Sequence, residues 1–136
     1  MATREAKFTT RLKKYLAAHP EILGDVYGAA LEVKVTPDKS IPFDAVKEHQ
    51  LGALNAVNEG TFLYKIPDAG WQNPFDIVYF RGAPAYVVLA FEHGFPAKYS
   101  FYFLHVFNFV ELRDNLDAKS ITEDVLKEHG YARYSF

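Results

Sequence analysis

A carboxylate and an ammonium group lie two residues apart at Glu32 and Lys34. They belong to segment 29–36, Ala-Ala-Leu-Glu-Val-Lys-Val-Thr, which is short and rich in β-branched residues and therefore predicts a β-strand. Because side chains alternate along a strand, the two groups share one face. The carboxylate can ligate a hard divalent cation, while the lysine positions a water and neutralises a phosphorane-like transition state. Glu-x-Lys pairs are also common on solvated strands, so the spacing alone does not establish a site.

The rest of the chain predicts the elements that position this strand. Apolar residues at helical spacing predict helices at residues 3–18 and 43–58, and the capping box Ser120-Ile-Thr-Glu123 predicts another that ends at Gly130. Period-two or continuous apolar runs predict further strands at residues 61–66, 76–80, 85–91 and 99–110. Residues 81–84 are predicted to join the strands at 76–80 and 85–91 as a hairpin. This order predicts an α/β or α+β fold with helices on a mixed sheet, in which segment 29–36 is a central strand.

Length and composition narrow the functional classes. A chain of 136 residues with 49% hydrophobic residues suits one globular domain, residues 1–136. The absence of cysteine excludes disulfides and thiol nucleophiles, and the five histidines lack the usual zinc-site spacings. No phosphate-binding glycine loop is present. Because there is neither a signal-peptide pattern nor an apolar run of about 20 residues, we expect a cytoplasmic protein outside the membrane.

The charge is distributed unevenly. A net charge of -2 argues against a uniformly basic nucleic-acid coat, so any DNA binding must use local patches and bound metal ions. Residues 1–20 are basic, with five Lys or Arg side chains against Glu5 alone. A solvated helix face and a phosphate-binding surface explain this cluster equally well. The candidate DNA-binding residues are Arg4, Lys7, Arg11, Lys14 and Lys39.

A longer pattern surrounds the Glu-x-Lys pair. Glu32-Val-Lys34-Val-Thr36 is followed by Ser40-Ile-Pro-Phe43 and then by Lys47-Glu-His-Gln50. This stretch of about twenty residues resembles the strand-turn-helix of the PD-(D/E)XK nucleases, specifically the RecU-like Holliday-junction resolvases. The resemblance implies a restriction-endonuclease-like mixed β-sheet flanked by helices. It also implies a Mg²⁺-dependent endonuclease, with Mn²⁺ as a substitute, that cuts DNA, in particular branched recombination or repair structures.

The resemblance assigns roles to further residues. Gln50 would hydrogen-bond a metal-bound water or a ligand carboxylate, although an exposed polar helix position explains it equally well. Glu5, in an Arg-Glu-x-x-Phe context, loosely resembles an accessory metal ligand of related resolvases. Junction resolution by two symmetric cuts would require a homodimer. Trp71, in a polar loop, is the one aromatic residue that we select as a candidate for DNA contact.

The family also requires an aspartate at the head of a strand, and Pro74-Phe75-Asp76 has that form. The order is unusual, because the family places this aspartate before the Glu-x-Lys strand. The positions that would carry the acid and the lysine after Asp76 hold Val88 and Ala90. We therefore interpret the site as permuted or migrated, with Asp76 and Glu32 meeting at one sheet edge. Asp25, which precedes Glu32, and Asp68 are the alternative ligands, and a catalytically inactive nuclease fold that binds DNA or a protein partner is the alternative function.

Overall fold

The computed structural model describes residues 3–67 and 74–136. Four α-helices lie among eight strands in the described residues, and two short 3-10 helices occupy Pro20–Leu23 and Phe43–Ala45. The helices are α1 Arg4–Ala18, α2 Glu48–Glu59, α3 Val106–Asn115 and α4 Glu123–Glu128. The strands are β1 Ala30–Thr36, β2 Ser40–Pro42, β3 Thr61–Lys65, β4 Ile77–Arg81, β5 Ala85–His93, β6 Lys98–His105, β7 Ser120–Thr122 and β8 Tyr134–Ser135.

The main sheet has the strand order β1-β5-β6-β8. β1 and β5 are parallel, and the chain between them contains α2, whereas β5–β6 and β6–β8 are antiparallel. The mixed sheet with packed helices confirms the predicted α+β class. However, β1 is the outermost strand in this order, so among the described strands the prediction that it is central is wrong.

Each face of the main sheet carries its own core. On one face, Val87 and Leu89 of β5 join a buried cluster with Leu51 and Leu54 of α2. On the other face, Val88 and Ala90 pack with Phe8 and Leu12 of α1, and Leu31, Val33 and Val35 of β1 lie against them. Because Glu32 is in register with Val87 and Lys34 with Leu89, both charged side chains belong to the α2 face. The predicted parity of β1 is thus confirmed.

The strands after α2 pair differently from the prediction. β3 and β4 form a separate two-stranded antiparallel sheet, in which Phe62 faces Phe80. The turn at residues 81–84 therefore leads from this small sheet into β5 and is not a hairpin between β4 and β5. The long separation of β1 and β5 in sequence hid their parallel pairing, which local turn signals cannot reveal.

Two further boundaries differ from the sequence prediction. The aromatic run at 99–110 is a strand only to His105, whose Nδ1 accepts a hydrogen bond from the Phe107 N–H and caps α3. Val106, Phe109 and Leu112 are buried on α3 at helical spacing, a period that the many aromatic residues obscured. The predicted last helix begins at Glu123 with Thr122 as its cap, because Ser120 belongs to β7. Likewise, residues 43–45 form a 3-10 helix before α2.

Helix lengths bear on the membrane question. Within residues 3–67 and 74–136, we find no helix that is both long and apolar enough to span a bilayer.

Candidate functional site

Glu32, Lys34 and Gln50 meet on the α2 face of the main sheet. The Gln50 Nε2 amide donates a hydrogen bond of 2.9 Å to Glu32 Oε1, and the Lys34 Nζ lies 3.4 Å from the same oxygen. Glu32 and Lys34 come from alternate positions of β1, whereas Gln50 comes from the first turn of α2. A strand residue and a helix residue of the sequence pattern therefore converge on one carboxylate oxygen.

Local packing fixes the orientation of Gln50. Its Oε1 accepts a hydrogen bond of 2.9 Å from the Lys47 N–H, which would otherwise be an unpaired donor at the start of α2. The side-chain amide is thus held at both ends, so its NH₂ group points at Glu32. The helix itself is anchored by buried Leu51 and Leu54. Gln50 thus caps α2 through its oxygen and donates a hydrogen bond to β1 through its nitrogen.

The connection from β1 to α2 is also held in place. The Asp38 N–H donates to Thr36 Oγ1 at the turn after β1, and β2 then pairs with β7 through Ile41 and Ile121. Phe43 in the following 3-10 helix is buried. These contacts position the start of α2 beside β1.

The Glu32–Lys34 pair lies between solvent and the core. The side chain of Lys34 is 13% exposed and that of Glu32 is 27% exposed. An ion pair at this depth is screened by water less than a surface pair, so both groups are held in place. Both contacts, from Gln50 and Lys34, are made to Oε1, and no hydrogen bond to Glu32 Oε2 is found among the described residues.

Comparison of the chain with protein-family models, curated proteins and solved structures gives no match. The nuclease resemblance thus depends on the residues and their geometry alone.

The structure does not bring Asp76 to the same sheet edge as Glu32. Asp76 precedes β4 in the separate two-stranded sheet, and its main-chain oxygen accepts a hydrogen bond of 2.7 Å from the Ile66 N–H. Its side chain is exposed and has no polar contact with Glu32 or Lys34 among the described residues. The expected meeting at one edge fails because β4 pairs with β3 and not with the main sheet.

The alternative acidic ligands also form no cluster with Glu32 among the described residues. Asp25 is exposed in the segment before β1, where it lines a groove with Tyr79 and Pro84. Glu5 lies on α1, which packs against the opposite face of the sheet from Glu32. Asp68 and Trp71 lie outside the described residues. Over the described ranges, no group of three or more His, Asp or Glu side chains is arranged to hold a metal ion.

The candidate DNA-binding residues differ in how far they are already engaged. Arg4 forms a 2.9 Å ion pair with Glu92. Arg11 donates to the Ala97 carbonyl and stacks over the Phe136 ring at 4.7 Å. Both arginines thus help to fasten α1 to the sheet.

The candidate lysines remain unengaged. Lys7, Lys14 and Lys39 are exposed and form no ion pair in the described structure. Lys7 and Lys14 lie on α1, on the far side of the sheet from Glu32, whereas Lys39 lies in the turn after β1.

Sequence reasoning missed a second polar network, centred on Glu123. Its Oε1 accepts hydrogen bonds from the Ser100 hydroxyl at 2.6 Å and the Tyr102 hydroxyl at 2.7 Å. The His93 Nε2 lies 3.4 Å from Oε2, and the Arg133 Nε lies 3.8 Å from Oε1. The network joins residues of β5, β6, α4 and the segment before β8, which are far apart in the chain, so no spacing in the sequence signals it.

The pKa values in this network follow from its contacts. Burial alone would raise the pKa of Glu123, but the hydrogen bonds from Ser100 and Tyr102, with the charges of His93 and Arg133, outweigh burial and lower it. Burial, reinforced by the hydrogen bond to Glu123, raises the pKa of the Tyr102 phenol. Glu123 is therefore held ionised and Tyr102 neutral as a hydrogen-bond donor.

Proposed function

We propose that this protein is a metal-dependent endonuclease that acts on DNA, with Glu32, Lys34 and Gln50 at the centre of its active site. The observation that carries the proposal is the convergence of Gln50 Nε2 and Lys34 Nζ on Glu32 Oε1, at 2.9 and 3.4 Å. These are the three residues that the family pattern selects, and they come together through a strand-turn-helix of the corresponding kind. A random surface ion pair would not require a helix-capping glutamine aimed at its carboxylate.

The donor set is compatible with Mg²⁺ but is incomplete within the described contacts. Mg²⁺ binds one or two protein carboxylates and fills its remaining positions with water and substrate phosphate oxygens. Glu32 would supply one carboxylate, and Asp25 or Asp68 remain the candidates for a second. A bound Mg²⁺ would act as a Lewis acid on the scissile phosphate, and Mn²⁺ would substitute for it.

The chain's own residues have distinct tasks in this proposal. Lys34, held beside Glu32 and largely shielded from solvent, would donate hydrogen bonds to the phosphate oxygens where negative charge develops. Gln50 would keep Glu32 in one orientation, because its amide is itself fixed by the Lys47 N–H. We further propose branched DNA as the substrate, a homodimer as the acting form, and the cytoplasm as its location.

A direct test is cleavage of a labelled four-way junction and of its duplex arms with Mg²⁺, using the wild-type protein, Lys34→Ala and the matched control Lys65→Ala. Lys65 is an exposed lysine at the end of β3 without an ion pair among the described residues. We expect junction cleavage by wild type and control, and a loss of about 10²- to 10³-fold in Lys34→Ala. Equal cleavage by all three proteins would contradict the assignment of Lys34.

One observation favours a second candidate, a nuclease-like fold that binds DNA or a protein partner without cutting DNA. The described acids form no cluster for a metal ion, and Val88 and Ala90, where the family order would place an acid and a lysine, are fully buried against α1. Junction binding that is unaffected by Glu32→Ala and never leads to cleavage with Mg²⁺ or Mn²⁺ would support this candidate over the enzyme.

A further inference from the structure

A pocket at the end of β5 opposite to the turn at residues 81–84 collects positive charge. It is open, has a volume of about 850 Å³, and is lined by His93, Lys98, Glu123, Lys127 and Arg133, among others. Three permanently basic side chains therefore face one carboxylate, in a chain whose overall charge is -2. The basic residues of this pocket come from β5, β6, α4 and the segment before β8, and none of them belongs to α1.

The backbone sets these residues in fixed positions. His93 ends β5 and is paired with Lys98, the first residue of β6, while Lys127 lies in the last turn of α4 and Arg133 immediately precedes β8. Four separate elements thus converge on the pocket. Because the strand pairing and the buried Leu126 of α4 hold these elements together, the basic groups are brought together by the fold and not by one flexible loop.

The carboxylate in the pocket is already fully engaged. Both oxygens of Glu123 have partners, two of which are the hydroxyls of the buried Ser100 and Tyr102. His93 and Arg133 lie within 3.4 and 3.8 Å of it. Glu123 therefore anchors one side of the pocket, and the excess positive charge remains with the other groups.

The two lysines are left without protein partners. Lys98 and Lys127 are exposed, and neither forms an ion pair over residues 3–67 and 74–136. Two ammonium groups with a guanidinium and an imidazole beside them match the several acceptor oxygens of a phosphate group. A carboxylate ligand would use fewer of these donors.

We propose that this pocket binds a phosphate group of a ligand, at a site separate from Glu32 and Lys34. The two possible sources are a small phosphate ester and the backbone of a nucleic acid. The inference does not depend on nuclease activity, because none of its residues contacts Glu32, Lys34 or Gln50 within the described structure.

The test is a titration with inorganic phosphate, at constant ionic strength, followed by the amide resonances of the intact protein. We expect saturable shifts centred on residues 93, 98, 127 and 133, with a dissociation constant in the millimolar range. Lys98→Ala/Lys127→Ala should raise that constant about tenfold or more, since it removes two charged donors. Lys98→Arg/Lys127→Arg should retain binding because the charges remain.

The matched control is Lys13→Ala/Lys65→Ala, which removes two exposed lysines outside the pocket. It should bind phosphate as the wild type does. Absence of saturable shifts in the wild type, or equal weakening in the control, would overturn the proposal. Repeating the titration with a short DNA duplex and with a nucleoside monophosphate identifies the source, because the true source displaces phosphate and shifts the same resonances.

Discussion

The α2 face of the main sheet holds two carboxylates of similar exposure, Glu32 at 27% and Glu123 at 20%, but their partners differ. Glu32 is held through Oε1 by an amide and an ammonium group, and no hydrogen bond reaches its other oxygen in the described structure. Glu123 is held through both oxygens by two hydroxyls, an imidazole and a guanidinium. The two carboxylates therefore differ in their partners although their exposure is similar.

This difference leads to opposite expectations for substitution. Removing the Glu32 charge should impair chemistry and cost less stability than removing the Glu123 charge, because only Gln50 and Lys34 depend on it. Removing the Glu123 charge should impair folding and leave chemistry intact, because four groups from β5, β6 and the C-terminal segment depend on it.

The largest expected effect is on DNA cleavage by Glu32→Gln. The substitution keeps the shape of the side chain but removes the charge that would ligate the cation. We expect cleavage to fall by about 10³-fold, since a metal ligand supplies several kcal/mol of transition-state stabilisation. Single-turnover cleavage rates measure this loss. Thermal melting of the same preparation should show a smaller drop in Tm than Glu123→Gln does, and a drop as large as that of Glu123→Gln would remove the contrast.

Gln50→Ala should have an intermediate effect on cleavage. The alanine can neither orient Glu32 nor accept from the Lys47 N–H, and loss of such a supporting hydrogen bond costs about 10- to 100-fold in activity. The substitution should lower the free energy of unfolding by about 1 kcal/mol, as the loss of other helix caps does. Asn55→Ala, at an exposed position of the same helix, is the matched control and should cleave like the wild type. Cleavage by Gln50→Ala that equals that of the wild type would contradict a supporting role for Gln50.

Glu123→Gln should affect stability instead. The amide cannot accept from Ser100 and Tyr102 as strongly as the carboxylate does, and it loses the attraction of Arg133. We expect the free energy of unfolding to fall by about 1–3 kcal/mol, which urea titration measures. Cleavage at a temperature where the variant remains folded should be unchanged, and a loss there as large as that of Glu32→Gln would contradict the structural assignment.

The smallest expected effect is the pH dependence of that stability. Because the pKa of Glu123 is lower in the folded protein, its ionised form contributes stability above its unfolded pKa of about 4.3, and this contribution is lost as the pH falls through the folded pKa. The difference in unfolding free energy between wild type and Glu123→Gln should therefore shrink on acidification. A difference that stays constant from neutral to acidic pH would show that the charge of Glu123 contributes nothing.

The same contrast explains how much could be predicted from sequence. The Glu32 site lies within one strand-turn-helix, so strand alternation and a short pattern ending at Gln50 predicted its three members. The Glu123 network joins residues of β5, β6, α4 and the segment before β8, whose proximity depends on the sheet order. Hydrophobic periodicity and motif spacing predict local geometry, whereas the packing of the whole core decides which distant elements come together.

The errors have the same origin. Helix α1 and strands β1 and β5 were predicted within one or two residues, because each has a clear period and clear stop signals. The predicted pairing of β4 with β5 was wrong because the turn at 81–84 resembles a hairpin. In the structure β5 pairs with β1 instead, and β4 pairs with β3. The placement of Asp76 beside Glu32 failed for that reason. Helix α3 was missed because its aromatic residues favour a strand locally.

The most direct test of the Glu32 site is a crystal structure of the protein with Mn²⁺ and a short DNA duplex, using anomalous scattering to locate the metal. We expect an anomalous peak within coordination distance of the Glu32 carboxylate, with an aspartate or a DNA phosphate oxygen completing the ligands. We also expect that Lys34 and Gln50 remain beside Glu32. A Mn²⁺ ion bound elsewhere on the protein with DNA in place, and none at Glu32, would contradict the central claim.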